Sequence, residues 1–304
     1  MAELKAHPAG RPPRSANDFV EQLLDERIGE IEEHFGADAI TFFGPILGGV
    51  DDIIRTAVEA KHGEKSNREK LVFLLTTTGG YIEVVHRIVE TLRHHYSLVD
   101  FIIPNYAYSA GTVLAMSGDA IYMDYYSRLG PIDPQVENQS GRMVPALGYL
   151  EKYESLLDKA RNNAITMPEV QLLIQGFDQA ELHQYEQARE LSIALLKEWL
   201  VKYKFKNWHI TENRKLDVTE AMKIERAESI AHNLNDTKKW HTHGHGISKD
   251  VIINDLNCLI DDFGKEESFA SLIRGYDDLF SDYTTKLGIK GAIHFSGTYT
   301  PFMQ

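Results

Sequence analysis

The sequence lacks several features that would tie it to a metal, a nucleic acid or a membrane. Cys258 is the only cysteine, so neither an intrachain disulfide nor a cysteine-based zinc site can form. Lys and Arg number 32 against 45 Asp and Glu, for a formal net charge of -13. Binding to a phosphate backbone needs a basic surface, and we therefore expect no nucleic acid partner.

Long apolar runs are also missing. The chain nowhere holds the roughly 18 consecutive apolar residues of a membrane-spanning helix, and its first residues carry no apolar run typical of a signal peptide. We therefore expect a cytoplasmic protein without membrane contact. The sequence contains no P-loop motif, so we expect no ATPase domain in this chain, and we expect no cofactor.

What the sequence does contain is an alternation of buried strands and helices. The runs 39–43, 71–75, 99–103 and 120–123 are largely apolar, as strands are when a sheet is covered on both faces. Ile82, Val85, Val89 and Leu92 recur at helical spacing between two of them. This alternation predicts an α/β core with mostly parallel strands.

Beyond about residue 145 the apolar spacing is mainly helical. We predict a flexible tail over residues 1–16, a core over 17–145 and a mainly helical extension over 146–304. The extension is expected to complete the core and either to cover the site or to pack subunits against each other.

Two strand-to-helix junctions carry the candidate chemistry. Gly79 and Gly80 follow the strand at 71–75, and Ser109, Ala110 and Gly111 follow the strand at 99–103. Parallel strands present their carboxyl ends at one edge, where sites usually form. A hydroxyl nucleophile beside backbone N–H donors is the set that acyl transfer needs, and glycine lets a substrate carbonyl approach the backbone.

Taken singly, both signals have simpler interpretations. A pair of glycines after a strand is more often only a turn. A serine before a helix is more often an N-cap than a nucleophile. The order and spacing of the two junctions, with GPIDP following at 130–134, is more specific than either one.

Three stretches carry a resemblance to a known family: LVFLLTTTGGYIEVVHRIVETLR, VDFIIPNYAYSAGTVLAMSGDAIYMD and RLGPIDPQ. They resemble the serine dehydrogenase proteinase family of the ClpP/crotonase superfamily, which is related to the SppA peptidases. The resemblance covers roughly residues 39–136, with weaker support over 180–260. It implies an α/β ClpP/crotonase-like spiral of ββα units with a largely helical C-terminal region.

The resemblance also implies a serine peptidase with Ser109 as the nucleophile. The oxyanion hole would use the N–H groups of Gly80 and Ala110, with Gly79 and Gly111 beside them. The substrate would be a peptide or an unfolded protein segment, and the assembly a homo-oligomeric ring built from trimers.

The general base is the open question of the sequence. No His lies between His95 and His183, so a base placed as in ClpP is missing, whereas SppA-type enzymes use a downstream Lys. Lys152 and Lys159 are the candidates, two helical turns apart. Either would have to be desolvated to lose its charge near neutral pH, and two solvated surface lysines are the alternative.

Two further residues are candidate neighbours of the site. Asp133 lies between prolines in GPIDP and is expected mainly to hold a turn or an interface. His243 is the middle histidine of WHTHGHG, whose spacing would suit a metal on an extended segment, although no further ligand is positioned to complete it. We expect a structural role for this segment and no metal site.

Three functions from different classes follow. The first is a serine peptidase that acts through an acyl-enzyme on Ser109. The second is a catalytically inactive assembly protein that keeps the fold but lacks a base. The third is a crotonase-like acyl-CoA enzyme, which is disfavoured by the serine at the second junction and by the absence of a basic cluster for the CoA phosphates.

Overall fold

The computed structural model describes residues 15–64, 66, 68–133, 135–137, 143–211, 214–240 and 246–304. Most of the predicted tail and His243 lie outside these residues. The strands of the described chain are β1 (Asp38–Phe43), β2 (Lys70–Thr76), β3 (Leu98–Ile102), β4 (Tyr106–Ala107), β5 (Ala120–Met123), β6 (Arg128–Leu129), β7 (Gln135–Glu137), β8 (Met143–Pro145), β9 (Ile247–Ser248), β10 (Asp261–Asp262), β11 (Gly291–Phe295) and β12 (Thr298–Met303).

The helices of the described chain follow the predicted alternation and then dominate its second half. They are α1 (Ala16–Phe35), α2 (Val50–Glu64), α3 (Ile82–His95), α4 (Ala110–Met116), α5 (Ala146–Arg161), α6 (Met167–Gln175), α7 (Gln179–Trp199), α8 (Glu220–Leu234), α9 (Thr237–Trp240), α10 (Lys249–Asn254) and α11 (Glu267–Lys286). A π-helical turn, Leu200–Lys204, continues α7.

A mixed sheet is the centre of the molecule. Within the described residues it has seven strands in the order β10-β5-β3-β2-β1-β11-β12. The pairs from β1 to β5 are parallel, as the sequence predicts, and β11 joins β1 antiparallel. Because β10, β11 and β12 come from beyond residue 145, the C-terminal region completes the same sheet as the N-terminal strands.

Both faces of this sheet are covered, which explains why the strands are apolar throughout. Val72 and Leu74 of β2 lie in a cluster with α1 and α11 on one face. Leu71, Phe73 and Leu75 belong to the larger cluster on the other face, with residues of α2, α3, α4, α7 and α8. The successive side chains of one strand thus enter two separate cores, as the alternation of Cβ directions requires.

Candidate active site

The carboxyl end of β2 meets the segment that leads into α4. Thr77 N–H donates to the carbonyl of Tyr106 at 3.0 Å, and Tyr108 N–H donates to the carbonyl of Thr77 at 3.0 Å. These two hydrogen bonds continue the parallel pairing beyond β2 and β4. The two junctions that the sequence predicts as neighbours are therefore in direct contact.

The two glycines are required at this contact because backbone occupies the space that a side chain would fill. A β-carbon on Gly79 would lie 2.6 Å from the carbonyl oxygen of Tyr108 and 2.8 Å from Cβ of Ser109. A β-carbon on Gly80 would lie 2.0 Å from the carbonyl oxygen of Ile46. Both glycines also have positive φ, 98° and 154°. At both glycines the chain therefore packs closely against another part of the protein's own backbone.

Ser109 has an unusual backbone conformation. Its φ is 53° and its ψ is -122°, at the position directly before α4. A residue with a side chain rarely adopts positive φ, and such strain is found mainly at functional sites. A sharp turn of this kind, between a strand and a helix, is how several hydrolases present a nucleophilic serine.

The Ser109 side chain does not cap the helix that follows it. No cap hydrogen bond links its hydroxyl to α4, and the hydroxyl instead donates to the backbone carbonyl of Asp133 at 2.7 Å. The residue is fully buried, with 0% of its surface exposed. The simple N-cap interpretation is therefore wrong for this serine.

Two backbone N–H groups at the paired junctions have no acceptor among the described residues. Neither the N–H of Gly80 nor the N–H of Ala110 donates a hydrogen bond to a described residue. The position of a β-carbon on Gly79 would be 3.3 Å from the Ala110 nitrogen, so the backbones of the two junctions touch. Gly111 is packed equally closely, since its β-carbon would lie 2.3 Å from the Thr77 methyl carbon.

Two threonines that the sequence analysis did not single out hold this arrangement. Thr77 Oγ1 accepts from Gly79 N–H at 3.0 Å, a turn of the Ser/Thr type that the TTTGG sequence itself signals. The Thr112 hydroxyl lies 2.8 Å from the carbonyl of Ala107 and accepts from Gly130 N–H at 3.0 Å. Thr112 thereby joins the start of α4 to the GPIDP segment.

Asp133 connects Ser109 to α5. Its carbonyl accepts from the Ser109 hydroxyl, and its carboxylate accepts from Leu147 N–H at 3.0 Å. The residue is 4% exposed. Asp133 thus joins the Ser109 hydroxyl to the start of α5.

The two candidate lysines are both exposed on α5. Lys159 Nζ is 2.5 Å from a carboxylate oxygen of Glu169. The hydrogen bond from Lys159, together with those from Thr166, lowers the pKa of Glu169 to about 2. Among the described residues, Lys152 takes part in no ion pair. Neither lysine is desolvated in this conformation of the single chain.

The described part of the chain offers neither a cluster of metal ligands nor a membrane-spanning helix. No group of three or more His, Cys, Asp or Glu residues there has the geometry to hold a metal ion. No helix in it is both long enough and apolar enough to span a bilayer. His243 lies outside the described residues, so its position relative to Ser109 stays a prediction.

Comparison with known proteins identifies a family. The family model described as ClpP-like SDH-type serine proteinase matches residues 50–207, which include every candidate from Gly79 to Lys159. The observed mixed α/β architecture agrees with the ClpP-like fold of that family, so the predicted fold class is confirmed.

Curated relatives match shorter stretches. The uncharacterized protein MJ1495 of Methanocaldococcus jannaschii is 30% identical over 97 residues, which are 32% of this chain and 32% of that protein. The uncharacterized protein MJ0137 of the same organism is 38% identical over 63 residues, 21% of this chain and 22% of that protein. The chain therefore spans about a third or less of the length of these relatives.

Two solved structures resemble the chain distantly. One is a serine-to-alanine mutant of the membrane-bound stomatin-specific protease 1510-N, with 13% identity and a TM-score of 0.42 over 76% of this chain and 79% of that one. The other is ClpP1 from Listeria monocytogenes, with 10% identity and a TM-score of 0.42 over 83% of this chain and 99% of that one.

Proposed function

The chain belongs to the ClpP-like SDH-type serine proteinases, and from this membership we propose that it hydrolyses peptide bonds through an acyl-enzyme formed on Ser109. One observation carries the proposal. The backbone of Ser109 has a φ of 53° and a ψ of -122°, a conformation that glycine adopts with less strain than a residue with a side chain. Its hydroxyl serves neither as a helix cap nor as part of a surface turn.

The surrounding backbone supports the chemistry that a peptidase requires. When the Ser109 oxygen attacks a peptide carbonyl carbon, the carbonyl oxygen becomes an oxyanion. The N–H groups of Gly80 and Ala110, which have no acceptor among the described residues, are the donors that we assign to it. The serine proton passes to a base and then to the leaving amine, and water releases the acyl group in a second step.

The structure of the single chain corresponds to a resting state in this proposal. Ser109 is fully buried, and its proton is directed at the carbonyl of Asp133, which cannot remove it. Peptide binding or assembly must therefore displace the Asp133 segment and bring a base to the serine. The substrate in this account is an extended peptide or an unfolded segment, and the active form is a homo-oligomer.

Lys152 is the base that we favour over Lys159. Leu147 N–H is bonded to Asp133, so the start of α5 lies next to the Ser109 segment. Lys152 follows Leu147 by five residues, about 8 Å along the helix, whereas Lys159 lies about 18 Å along it. Lys159 is also held by Glu169. Burial of α5 against a neighbouring subunit would desolvate Lys152 and lower its affinity for a proton.

Peptide hydrolysis tests this proposal directly. A quenched-fluorescence peptide library is incubated with the wild type, Ser109→Ala, Lys152→Ala and Lys159→Ala. We expect hydrolysis by the wild type and Lys159→Ala, and losses of at least about 1000-fold in Ser109→Ala and Lys152→Ala. Ser117→Ala is the matched control, because Ser117 is a buried serine at the end of the same helix and its hydroxyl donates to the carbonyl of Leu114.

A catalytically inactive assembly protein is the second candidate function. The observation in its favour is that Ser109 is buried while both lysines are exposed. A folded wild type that forms oligomers but hydrolyses no peptide in the library would establish this second function over the first.

A further inference from the structure

Thr77 connects the two junctions of the candidate site through a single side chain. The residue directly follows β2 and is 1% exposed. Its Oγ1 atom accepts from Gly79 N–H at 3.0 Å. Its methyl carbon packs against the other junction, where a β-carbon on Gly111 would lie 2.3 Å from it. The hydroxyl and the methyl group of Thr77 therefore each contact a different junction.

The peptide unit between Gly79 and Gly80 is held by a second contact. The Gly79 carbonyl accepts from Ile46 N–H at 2.8 Å. No peptide bond of the described residues is cis, and in a trans peptide unit the C=O and N–H groups point in opposite directions. Gly80 N–H is therefore directed away from Ile46. Tyr81 N–H donates to the Ile46 carbonyl at 2.9 Å, which fixes the next peptide unit as well.

The glycines make this arrangement dependent on such contacts. Glycine populates positive and negative φ about equally, so Gly79 and Gly80 do not set their own φ values of 98° and 154°. The Thr77 hydroxyl fixes the peptide unit that ends at Gly79, and Ile46 fixes the one that ends at Gly80. Without the hydroxyl, Gly79 N–H loses its acceptor, and the backbone that carries Gly80 N–H is free to rotate.

We propose that Thr77 is a positioning residue of the oxyanion hole. The inference rests on the proposed peptidase function, in which Gly80 and Ala110 supply the two N–H donors. Such a donor stabilises the oxyanion only when it is aimed at the place where the charge develops. By holding Gly79, the Thr77 hydroxyl sets the direction of Gly80 N–H. Thr77 acts only through this backbone and exchanges no proton with the substrate.

Steady-state kinetics with two substitutions of Thr77 tests the inference. The substrate is the library peptide that the wild type hydrolyses fastest. Thr77→Val keeps the branched shape without the hydroxyl, and Thr77→Ser keeps the hydroxyl without the methyl group. We expect Thr77→Val to lower kcat about 10- to 100-fold with KM within about twofold, because the oxyanion forms only in the transition state. Thr77→Ser should keep kcat within about threefold of the wild type.

Thr284→Val is the matched control. Thr284 is also 1% exposed, and its hydroxyl lies 3.0 Å from the carbonyls of Phe280 and Ser281 within α11. Removing this buried hydroxyl should leave both kcat and KM unchanged. The assays are run at a temperature at which both valine variants are folded, so a lower kcat in Thr77→Val alone separates positioning from a general loss of stability.

Hydrogen exchange at Gly79 provides a readout that needs no catalysis. Thr78 is the only threonine that is followed by a glycine, so isotope labelling of threonine carbonyl carbons and glycine nitrogens gives one peptide bond that carries both labels. A carbon–nitrogen correlation NMR spectrum then reports the amide of Gly79 alone. We expect this amide to exchange at least about tenfold faster in Thr77→Val than in the wild type or in Thr77→Ser.

The outcomes separate this inference from the peptidase proposal. An unchanged kcat in Thr77→Val, an equal loss of kcat in Thr77→Ser, or an unchanged Gly79 exchange rate in Thr77→Val would each overturn it, even if the wild type hydrolyses peptides. A wild type that hydrolyses no peptide contradicts the peptidase proposal alone. Faster Gly79 exchange in Thr77→Val then still supports Thr77 as the residue that sets the Gly79–Gly80 backbone.

Discussion

Backbone strain at Ser109 is open to a quantitative test by comparing two substitutions of the same residue. Ser109→Ala and Ser109→Gly both remove the hydroxyl and its hydrogen bond to Asp133. They differ in the β-carbon, which makes the observed φ of 53° and ψ of -122° unfavourable. Strain of this kind costs about 1–3 kcal/mol, and glycine relieves it.

The expected difference follows from two opposing terms. Glycine loses more chain entropy on folding than alanine, a cost of about 0.5–1 kcal/mol. Subtracting this cost from the relieved strain leaves Ser109→Gly more stable than Ser109→Ala by about 1 kcal/mol. In a protein of this size, that difference corresponds to a Tm higher by roughly 2 °C.

The control is the same pair of substitutions at Ser117. Ser117 is also buried, but as the C-cap of α4 it has a φ of -78° and a ψ of -3°, which lie in the right-handed region that residues with a side chain adopt. Ser117→Gly should therefore be less stable than Ser117→Ala by about 0.5–1 kcal/mol. Thermal denaturation at one fixed protomer concentration measures all four variants. If glycine is the less stable choice at both positions, Ser109 is not strained and the reasoning fails.

Three further predictions concern other parts of the fold. Gly80→Ala should lose at least about 2 kcal/mol of stability, since its β-carbon would overlap a backbone carbonyl. Gly148→Ala has open space around it and should be neutral or stabilising. Urea denaturation measures both variants, and equal losses of stability would contradict this reasoning. Burial raises the pKa of Asp277 to about 6, so the folded state retains its proton more strongly than the unfolded chain and stability is lost as pH rises through that value. Asp277→Asn should then raise the free energy of unfolding at pH 7.5 by up to about 2 kcal/mol, and by less at pH 5. Thermal denaturation at the two pH values measures this, and equal gains at both would contradict the prediction. Tyr276→Phe should cost about 1–3 kcal/mol in urea denaturation because the buried hydroxyl bonds to both Thr41 and His294, and a change below about 0.5 kcal/mol would show that this network contributes little.

Local sequence patterns predicted those strands and helices whose residues follow a regular apolar spacing. The strand at 71–75 and the helix stripe from Ile82 to Leu92 appear as predicted, because periodicity depends only on neighbours along the chain. Thr219 and Ser248, whose residue types favour the N-cap position, accept hydrogen bonds from N–H groups three residues on. The closeness of Gly79 to Ser109 follows from the rule that parallel strands end at one edge.

Long-range contacts were not predictable from these patterns. Gly80 is required because Ile46, far away in sequence, passes against it. Residues 261–304 belong to the extension predicted as mainly helical, yet they form the β11–β12 hairpin as well as α11. All five residues of β11 are buried, which removes the alternation of a half-exposed strand. The buried face of α11 includes Tyr276 and Tyr283, and their hydroxyl groups make this face look less apolar in the sequence.

The general base could likewise not be identified from local sequence patterns. Whether a lysine keeps its proton depends on burial, which is a tertiary or quaternary property. The sequence placed Lys152 and Lys159 on one helix, and they do lie on α5. Only the structure indicates that α5 begins beside Asp133 and that Lys159 is paired with Glu169.

Labelling with a fluorophosphonate probe tests the central claim, that Ser109 is an activated nucleophile, most directly. The wild type, Ser109→Ala and Ser117→Ala are incubated with the probe, and the modified peptide is identified by mass spectrometry. The account predicts one adduct, on Ser109, in the wild type and in Ser117→Ala, and none in Ser109→Ala. A folded, oligomeric wild type that takes up no probe, or takes it up at another serine, would contradict it.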